Sequence, residues 1–277
     1  MEDYILNNDV AMPKVGLGVY KMKSEHEDAL VWALNHGYRH IDTAAFYHNE
    51  ELIASAIRKS GVKRKDLFIT TKVWSSDVGK KTNQAFEKSL QKLQTDYIDL
   101  YLIHWPVRGY LESWRTMETL YKEGKIRAIG VANFEQNQLE EIMKQRTIKP
   151  AVNQIQTNPY LQQHALHEYL VQHQIQHIAW GSLGQGSSQL FQDQLLSELA
   201  DKYGKTTAQI MLRWSIQLGI AVIPKSVHPD RLQQNLEVFD FQIADGDMNR
   251  ISTLERNKRG INDPNNKLFL WFLRFIR

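Results

Sequence analysis

Four residues of the 277-residue chain, Asp42, Tyr47, Lys72 and His104, form a set able to move a proton and steady a growing negative charge. A reaction that builds negative charge on a substrate oxygen needs such a proton donor and electrostatic partner. A free tyrosine, with a pKa of about 10, is a weak acid for work near neutrality. A lysine ammonium about 4 Å from the phenol, at an effective dielectric of about 20, favours phenolate by roughly 4 kcal/mol before desolvation is subtracted. Tyr47 is therefore expected to be the acid and Lys72 the group that lowers its pKa. Asp42 would keep Lys72 charged and in place, and a neutral His104 would hydrogen-bond the substrate oxygen. Singly, each has a plain structural role, such as a helix cap or a surface lysine. Their weight comes from falling on one face of a fold.

That face follows from the pattern of elements. Short β-branched and apolar runs at 15–19, 40–43, 68–73, 97–104, 127–132, 152–157, 177–181 and 221–224 read as eight strands. Several are almost continuously apolar, as strands buried on both faces are. Helical patterns lie between them. Ser24 with Glu27 three residues on reads as a capping box, followed by Ala29, Leu30, Ala33 and Leu34 on one face and Gly37 at the end. Phe86, Leu90 and Leu93 mark a second helix, and Trp114, Met117 and Leu120 a third that stops near Gly124. A late one opens at Pro229 and carries Leu232, Leu236 and Phe239. Eight strand-and-helix units predict an α/β fold of one domain over 1–277, a (β/α)8 TIM barrel with function at the carboxyl ends of the strands. Asp42, Lys72 and His104 end the second, third and fourth strands, and Tyr47 follows Asp42 in its loop. Residues 4–12 predict a short N-terminal β-hairpin over one barrel end.

Composition narrows the partners. The 34 lysines and arginines against 31 acids leave a net charge of +3, little reason to expect nucleic acid. The absence of cysteine excludes disulfides, thiolate metal sites and cysteine nucleophiles, and fits a reducing compartment. The start carries two acids and no apolar signal region, and no window of 18 apolar residues exists, so no transmembrane segment and a cytoplasmic location are expected. His164, His167, His173 and His177 have only Glu168 nearby, so no metal is expected.

An anion site is legible at the late helix. Lys225, Ser226 and Arg231 surround the turn that opens at Pro229, and a helix N-terminus with two cations and a hydroxyl suits a phosphate. Ordinary solvated basic residues are the plainer reading. Gly16 and Gly18 lack the third glycine of a Rossmann fingerprint, so that fold is not implied.

The segments GYRHIDTAAFYHNEE (37–51), TTKVW (70–74), LIHWP (102–106), GVANF (130–134), VNQIQTNPY (152–160) and IPKSVHPDRLQQN (223–235) together resemble the aldo-keto reductases, over about 12–257. The resemblance implies a barrel that binds NADPH and reduces aldehydes and ketones, with Asp42, Tyr47, Lys72 and His104 as its unsubstituted tetrad. It also implies that Lys225, Ser226 and Arg231 hold the adenosine 2′-phosphate, with Gln234 and Asn235 near the adenine. Asn133 and Gln154 would hold the nicotinamide carboxamide. Trp180 would stack on the ring, and Gly181, Ser182 and Leu183 would continue the cofactor contact. Three positions depart from the pattern: Ala132 where Ser is common, Gln156 to Pro159 where Glu-x-His-Pro is common, and Ser182 where Pro is common.

Tyr20, Phe46, Trp74 and Trp105 would line an apolar substrate cleft. The segments after His104 and Trp180 read as short, which resembles bacterial members acting on small aldehydes, dicarbonyls or keto-sugar acids through an open site. A monomer is expected, with a dimer allowed. The alternative is an NADPH-binding sensor or scaffold with vestigial reductase activity. The tail 260–277 has no predicted place. Its last ten residues, LFLWFLRFIR, would span about 15 Å as a helix, too short for a bilayer. Packing on the barrel or cleft, contact with a membrane surface, and contact with a second copy all remain open for it.

Overall fold

The computed structural model describes residues 2–145, 147–257, 259 and 263–276, so 260–262 and 277 of the tail lie outside the described residues. Strands β1 (Asp3–Ile5) and β2 (Ala11–Pro13) form the expected antiparallel hairpin, with Tyr4 opposite Met12. Eight parallel strands follow: β3 (Leu17–Gly18), β4 (His40–Asp42), β5 (Phe68–Val73), β6 (Ile98–Ile103), β7 (Ile126–Ala132), β8 (Val152–Gln156), β9 (Gln176–Trp180) and β10 (Ala221–Val222). Each pairs with its neighbour in the chain. The sheet curls until its two edges meet. Gly16 N–H donates to Val222 O at 2.8 Å, Val222 N–H to Lys14 O at 2.9 Å, and Gly18 N–H to Pro224 O at 3.2 Å. The α/β barrel expected from the strand count is thus the fold.

Two apolar layers explain the nearly unbroken strand runs. Along β6, Leu100 and Leu102 point into the barrel with Ala128, Val152 and Ile178. Tyr101 and Ile103 point outward against helix residues such as Phe86, Trp114 and Met117. The alternation is real, but both faces are covered, so it vanishes from the residue types. Leu6 and Met12 of the hairpin join the inner layer and plug the amino end of the barrel. Asn8 ties the hairpin turn to Arg127 O at 2.8 Å, beside the start of β7.

The predicted capping box is not formed. A 3-10 turn, Ser24–His26, precedes the helix Glu27–Asn35, and His26 Nδ1 accepts from the Lys23 N–H at 3.0 Å. Glu27 instead pairs with Lys59 at 2.5 Å. The turn begins one residue earlier than the Ser24 signal implied, which moves Ser24 out of the capping position. Strands β3 and β10 are shorter than predicted because the chain meets its partner at the closure mainly through the Val15–Val222 bridge. Among the described residues, no helix is long and apolar enough to cross a membrane.

Gly18 has a specific task at the closure. A Cβ there would lie 2.6 Å from Ile223 O, a backbone atom that cannot swing aside. Gly18→Ala is expected to destabilise the fold by about 1–3 kcal/mol. Gly246→Ala, on the exposed helix Asp245–Ser252 with nothing within 4 Å of its Cβ, should be stabilising by about 0.5–1 kcal/mol. Urea unfolding of both variants checks the contrast, and equal effects would remove the closure argument.

Candidate active site

The carboxyl ends of β4 and β5 place Asp42 and Lys72 inside the barrel, where Lys72 is 0% exposed and Asp42 2%. Lys72 Nζ donates to Asp42 Oδ1 at 2.6 Å and to Thr43 O at 2.7 Å. Asp42 Oδ2 accepts from Gln154 Nε2 at 2.6 Å, a link from β4 across to β8. Burial pulls the Lys72 pKa down and the Asp42 charge opposes it.

Tyr47 sits on the 3-10 turn Ala45–Tyr47. The loop is anchored by Asn49, a residue absent from the sequence-derived set. Thr43 Oγ1 donates to Asn49 Oδ1 at 2.7 Å, and Asn49 Nδ2 donates to Val19 O at 2.8 Å. Lys72 Nζ lies 5.3 Å from the centroid of the Tyr47 ring, and the His104 ring lies 5.8 Å from it in an edge-on arrangement. The four expected residues are therefore neighbours. The expected lowering of the Tyr47 pKa is not found. Burial, then the negative charge of Asp42, hold it well above the usual tyrosine value. The reason is visible in the contacts: the Lys72 ammonium is committed to Asp42 and Thr43 O. Tyr47 is thus a neutral phenol with its proton in place. Burial, and then the Lys72 charge, push His104 well below the usual histidine value, so its imidazole is neutral. His104 Nδ1 has no hydrogen-bond partner among the described residues.

The rim beyond is a second network. Asn133, just past β7, adopts a left-handed backbone (φ 62°), a conformation that costs energy for a non-glycine residue and is common at functional sites. Its Nδ2 donates to His104 O at 3.0 Å and its Oδ1 accepts from Trp180 Nε1 at 2.8 Å. Its N–H donates to Gln154 O at 2.9 Å. Three of the residues matched to the carboxamide and ring are thereby fixed to one another and to the backbone of His104.

The residues present fit a phosphate-bearing dinucleotide. The Ser182 hydroxyl, beyond Trp180 and Gly181, is buried with no hydrogen-bond partner among the described residues. Leu183 packs behind it against the helices. Lys225 and Arg231 flank the start of the helix Pro229–Leu236, exposed and in no ion pair among the described residues. Ser226 Oγ accepts from the His228 N–H at 3.1 Å and shapes the same turn. Gln234 is half-buried, and Asn235 is buried beside the Tyr38 hydroxyl.

The substrate side differs from the open cleft expected. Phe46 stacks on Trp74 at 3.9 Å, and Tyr20 leans on Tyr47 at 4.9 Å. Trp74 and Trp105, however, are buried beneath the tail. Phe269, on the helix Lys267–Phe272, meets Trp105 edge-on at 5.2 Å. Leu273 is buried between the two tryptophans and Val107, and Trp74 Nε1 donates to Ile276 O at 2.7 Å. The segment after Trp180 is not short either. It holds a turn, Gly184–Gly186, and a helix, Ser188–Phe191. A further tie went unread in the sequence: Arg259 pairs with Glu135 at 2.5 Å and donates to Gln163 Oε1 at 3.0 Å, beside Asn133 and Trp180. His167 and His177 bond each other through Nδ1 atoms 3.1 Å apart.

A parallel eight-stranded barrel with phenol, ammonium, carboxylate and imidazole gathered at its carboxyl end has the design of a barrel oxidoreductase. The chain belongs to the aldo/keto reductase family, whose profile matches residues 14–256. It is 47% identical over 268 residues to the glyoxal reductase of Bacillus subtilis, covering 95% of this chain and 96% of that protein. It is 44% identical to the methylglyoxal reductase DkgA of Escherichia coli, covering 94% and 95%. The crystal structure of MGS-M4, an aldo-keto reductase from a Medee basin deep-sea metagenome library, superposes with a TM-score of 0.92 at 42% identity, covering 95% of this chain and 98% of that one.

The covered tryptophans give a direct expectation. In a Trp271→Phe background, truncation after Asn266 should make tryptophan emission several-fold more sensitive to acrylamide, since Trp74 and Trp105 lose their cover. Unchanged quenching would mean that the tail does not hold this position in solution.

Proposed function

We propose that the chain reduces aldehydes and ketones to alcohols with NADPH, with Tyr47 as the proton donor. The observation that carries this reading is the buried Lys72–Asp42–Gln154 chain lying against a neutral phenol and a neutral imidazole. Bound reduced nicotinamide supplies the hydride. Asn133 and Gln154 orient the carboxamide: each side-chain amide nitrogen gives one hydrogen, to His104 O and Asp42 Oδ2, and has a second to give. Trp180, held by Asn133, offers its ring for stacking. His104 hydrogen-bonds the substrate oxygen and keeps it near the phenol. As negative charge grows there, Tyr47 passes its proton to that oxygen. A phenol with a raised pKa still does so, because an alkoxide is a stronger base than a phenolate. The nearby Lys72 charge then steadies the phenolate left behind.

The size of the substrate follows from the covered aromatic wall. With Trp74 and Trp105 under the tail, the remaining space favours compact carbonyl compounds, in line with the glyoxal and methylglyoxal named for the two relatives. Reliance on NADPH carries with it a location inside the cell, in the cytoplasm.

Tyr47→Phe should lower kcat for methylglyoxal by at least about 10²-fold while NADPH still quenches tryptophan emission with a nearly unchanged Kd. Retention of substantial turnover would overturn the assignment of the acid. NADPH binding by the unaltered protein with no turnover of any aldehyde would instead identify a cofactor sensor.

The preference for NADPH is tested separately. Replacing Lys225 and Arg231 by Ala should raise the KM for NADPH by about 10–100-fold, the scale of hydrogen bonds to a charged group, and leave the KM for NADH nearly unchanged. Equal losses with both cofactors would remove the 2′-phosphate from this turn.

A further inference from the structure

The C-terminal segment carries two apolar stripes, and only one of them is used inside the molecule. Phe269, Leu273 and Ile276 face inward onto Trp74, Trp105 and Val107. Leu268, Trp271, Phe272 and Phe275 fall at i, i+3, i+4 and i+7 and are 73%, 56%, 56% and 64% exposed. The other exposed large apolar residues among the described ones, Ile5, Tyr20 and Val171, lie far apart in the sequence. A stripe with helical spacing facing water needs a partner, since isolated exposed apolar residues are ordinary and clustered ones are not.

Charge and size indicate which partner. Lys267 and Arg274 are exposed within the segment itself. The loops on which the inner stripe rests carry Lys80, Lys81 and Arg108, also exposed. None of these five cations enters an ion pair among the described residues. Of the neighbouring acids, Asp77 is partly buried and Glu112, in the first turn of the helix Tyr110–Lys122, is exposed, one open carboxylate against five cations. The outward surface is therefore apolar and aromatic at its centre and cationic around it, complementary to a layer of anionic headgroups over hydrocarbon. The four side chains together expose on the order of 500 Å², short of the about 800 Å² per partner that a stable dimer buries. A second copy would also bring the same five cations against its own.

We propose that Leu268, Trp271, Phe272 and Phe275 dock the mouth of the barrel onto the surface of an anionic phospholipid bilayer, with Lys267, Arg274 and the loop cations pairing with the headgroups.

The test is co-sedimentation of the full chain with vesicles of phosphatidylglycerol mixed with phosphatidylcholine, against vesicles of phosphatidylcholine alone. Binding should be at least about tenfold tighter to the anionic vesicles, weaken with salt, and shift Trp271 emission to the blue, a shift lost in Trp271→Phe. Trp271→Glu with Phe275→Glu should abolish binding and keep methylglyoxal turnover within about twofold. Lys267→Gln with Arg274→Gln leaves the inner packing untouched and should weaken anionic binding about fivefold per charge. Failure of the unaltered chain to sediment, or sedimentation undiminished in the Glu variant, overturns the proposal. A dimer by light scattering that the Glu variant dissolves also overturns it and gives the face to a second copy. None of these outcomes depends on which carbonyl compound the enzyme reduces.

Discussion

The ion pair between Lys72 and Asp42 governs this molecule. Two opposite charges stand buried inside a largely apolar cylinder, and neither can leave without stranding the other. Removing one partner of such a pair costs about 3–5 kcal/mol, far more than the pair itself contributes. The barrel meets the cost by saturating both groups. Thr43 O accepts a second hydrogen bond from the lysine ammonium, and Gln154 reaches across from β8 to the second carboxylate oxygen. Three strands are thereby held in register at their carboxyl ends by one polar cluster. The loop that leaves Asp42 must then turn sharply, and the turn carries the phenol to the ammonium.

The same electrostatics set the resting state of the site. The lysine charge is already answered by aspartate, so the phenol feels burial more than attraction and stays protonated. Burial also leaves the imidazole neutral. The groups are arranged for a charge that has yet to form. Beyond them, Asn133, in a left-handed backbone conformation, gathers Trp180, Gln154 and the His104 backbone into one rim, so the rim and the buried polar cluster share atoms.

Most of the strand framework was legible because parallel strands buried on both faces are written in unbroken apolar residues, and the grouping of Asp42, Lys72 and His104 was legible because they lie at the ends of consecutive strands, with Tyr47 in the loop after Asp42. What escaped reading is non-local. The Gln154 bond to Asp42 joins residues 112 apart, and the Trp74 bond to Ile276 joins residues 202 apart. No local pattern announces either. Asn49 was passed over because a buried asparagine in a loop looks like any turn residue until its partners are known. The Ser24 capping signal failed because a histidine side chain competed for the same turn. The expected lowering of the Tyr47 pKa failed because burial of the phenol outweighs the attraction of Lys72, and the Asp42 charge adds to it.

Barrel closure also shapes how the protein can be made. The cylinder is sealed by the bonds that Lys14, Gly16 and Gly18 make with Val222 and Pro224. A ribosome releasing this chain from its amino end must therefore deliver seven strands before the eighth can complete the ring. Until then the first strand keeps an open edge, a site where nascent sheets mispair. The amino-terminal hairpin, placed early and seated in the same inner layer, gives that waiting sheet an end to collapse upon. Order of synthesis and order of strands coincide around the ring, so each new segment can add beside the one before it, and only the seam has to find a partner from the far end of the chain.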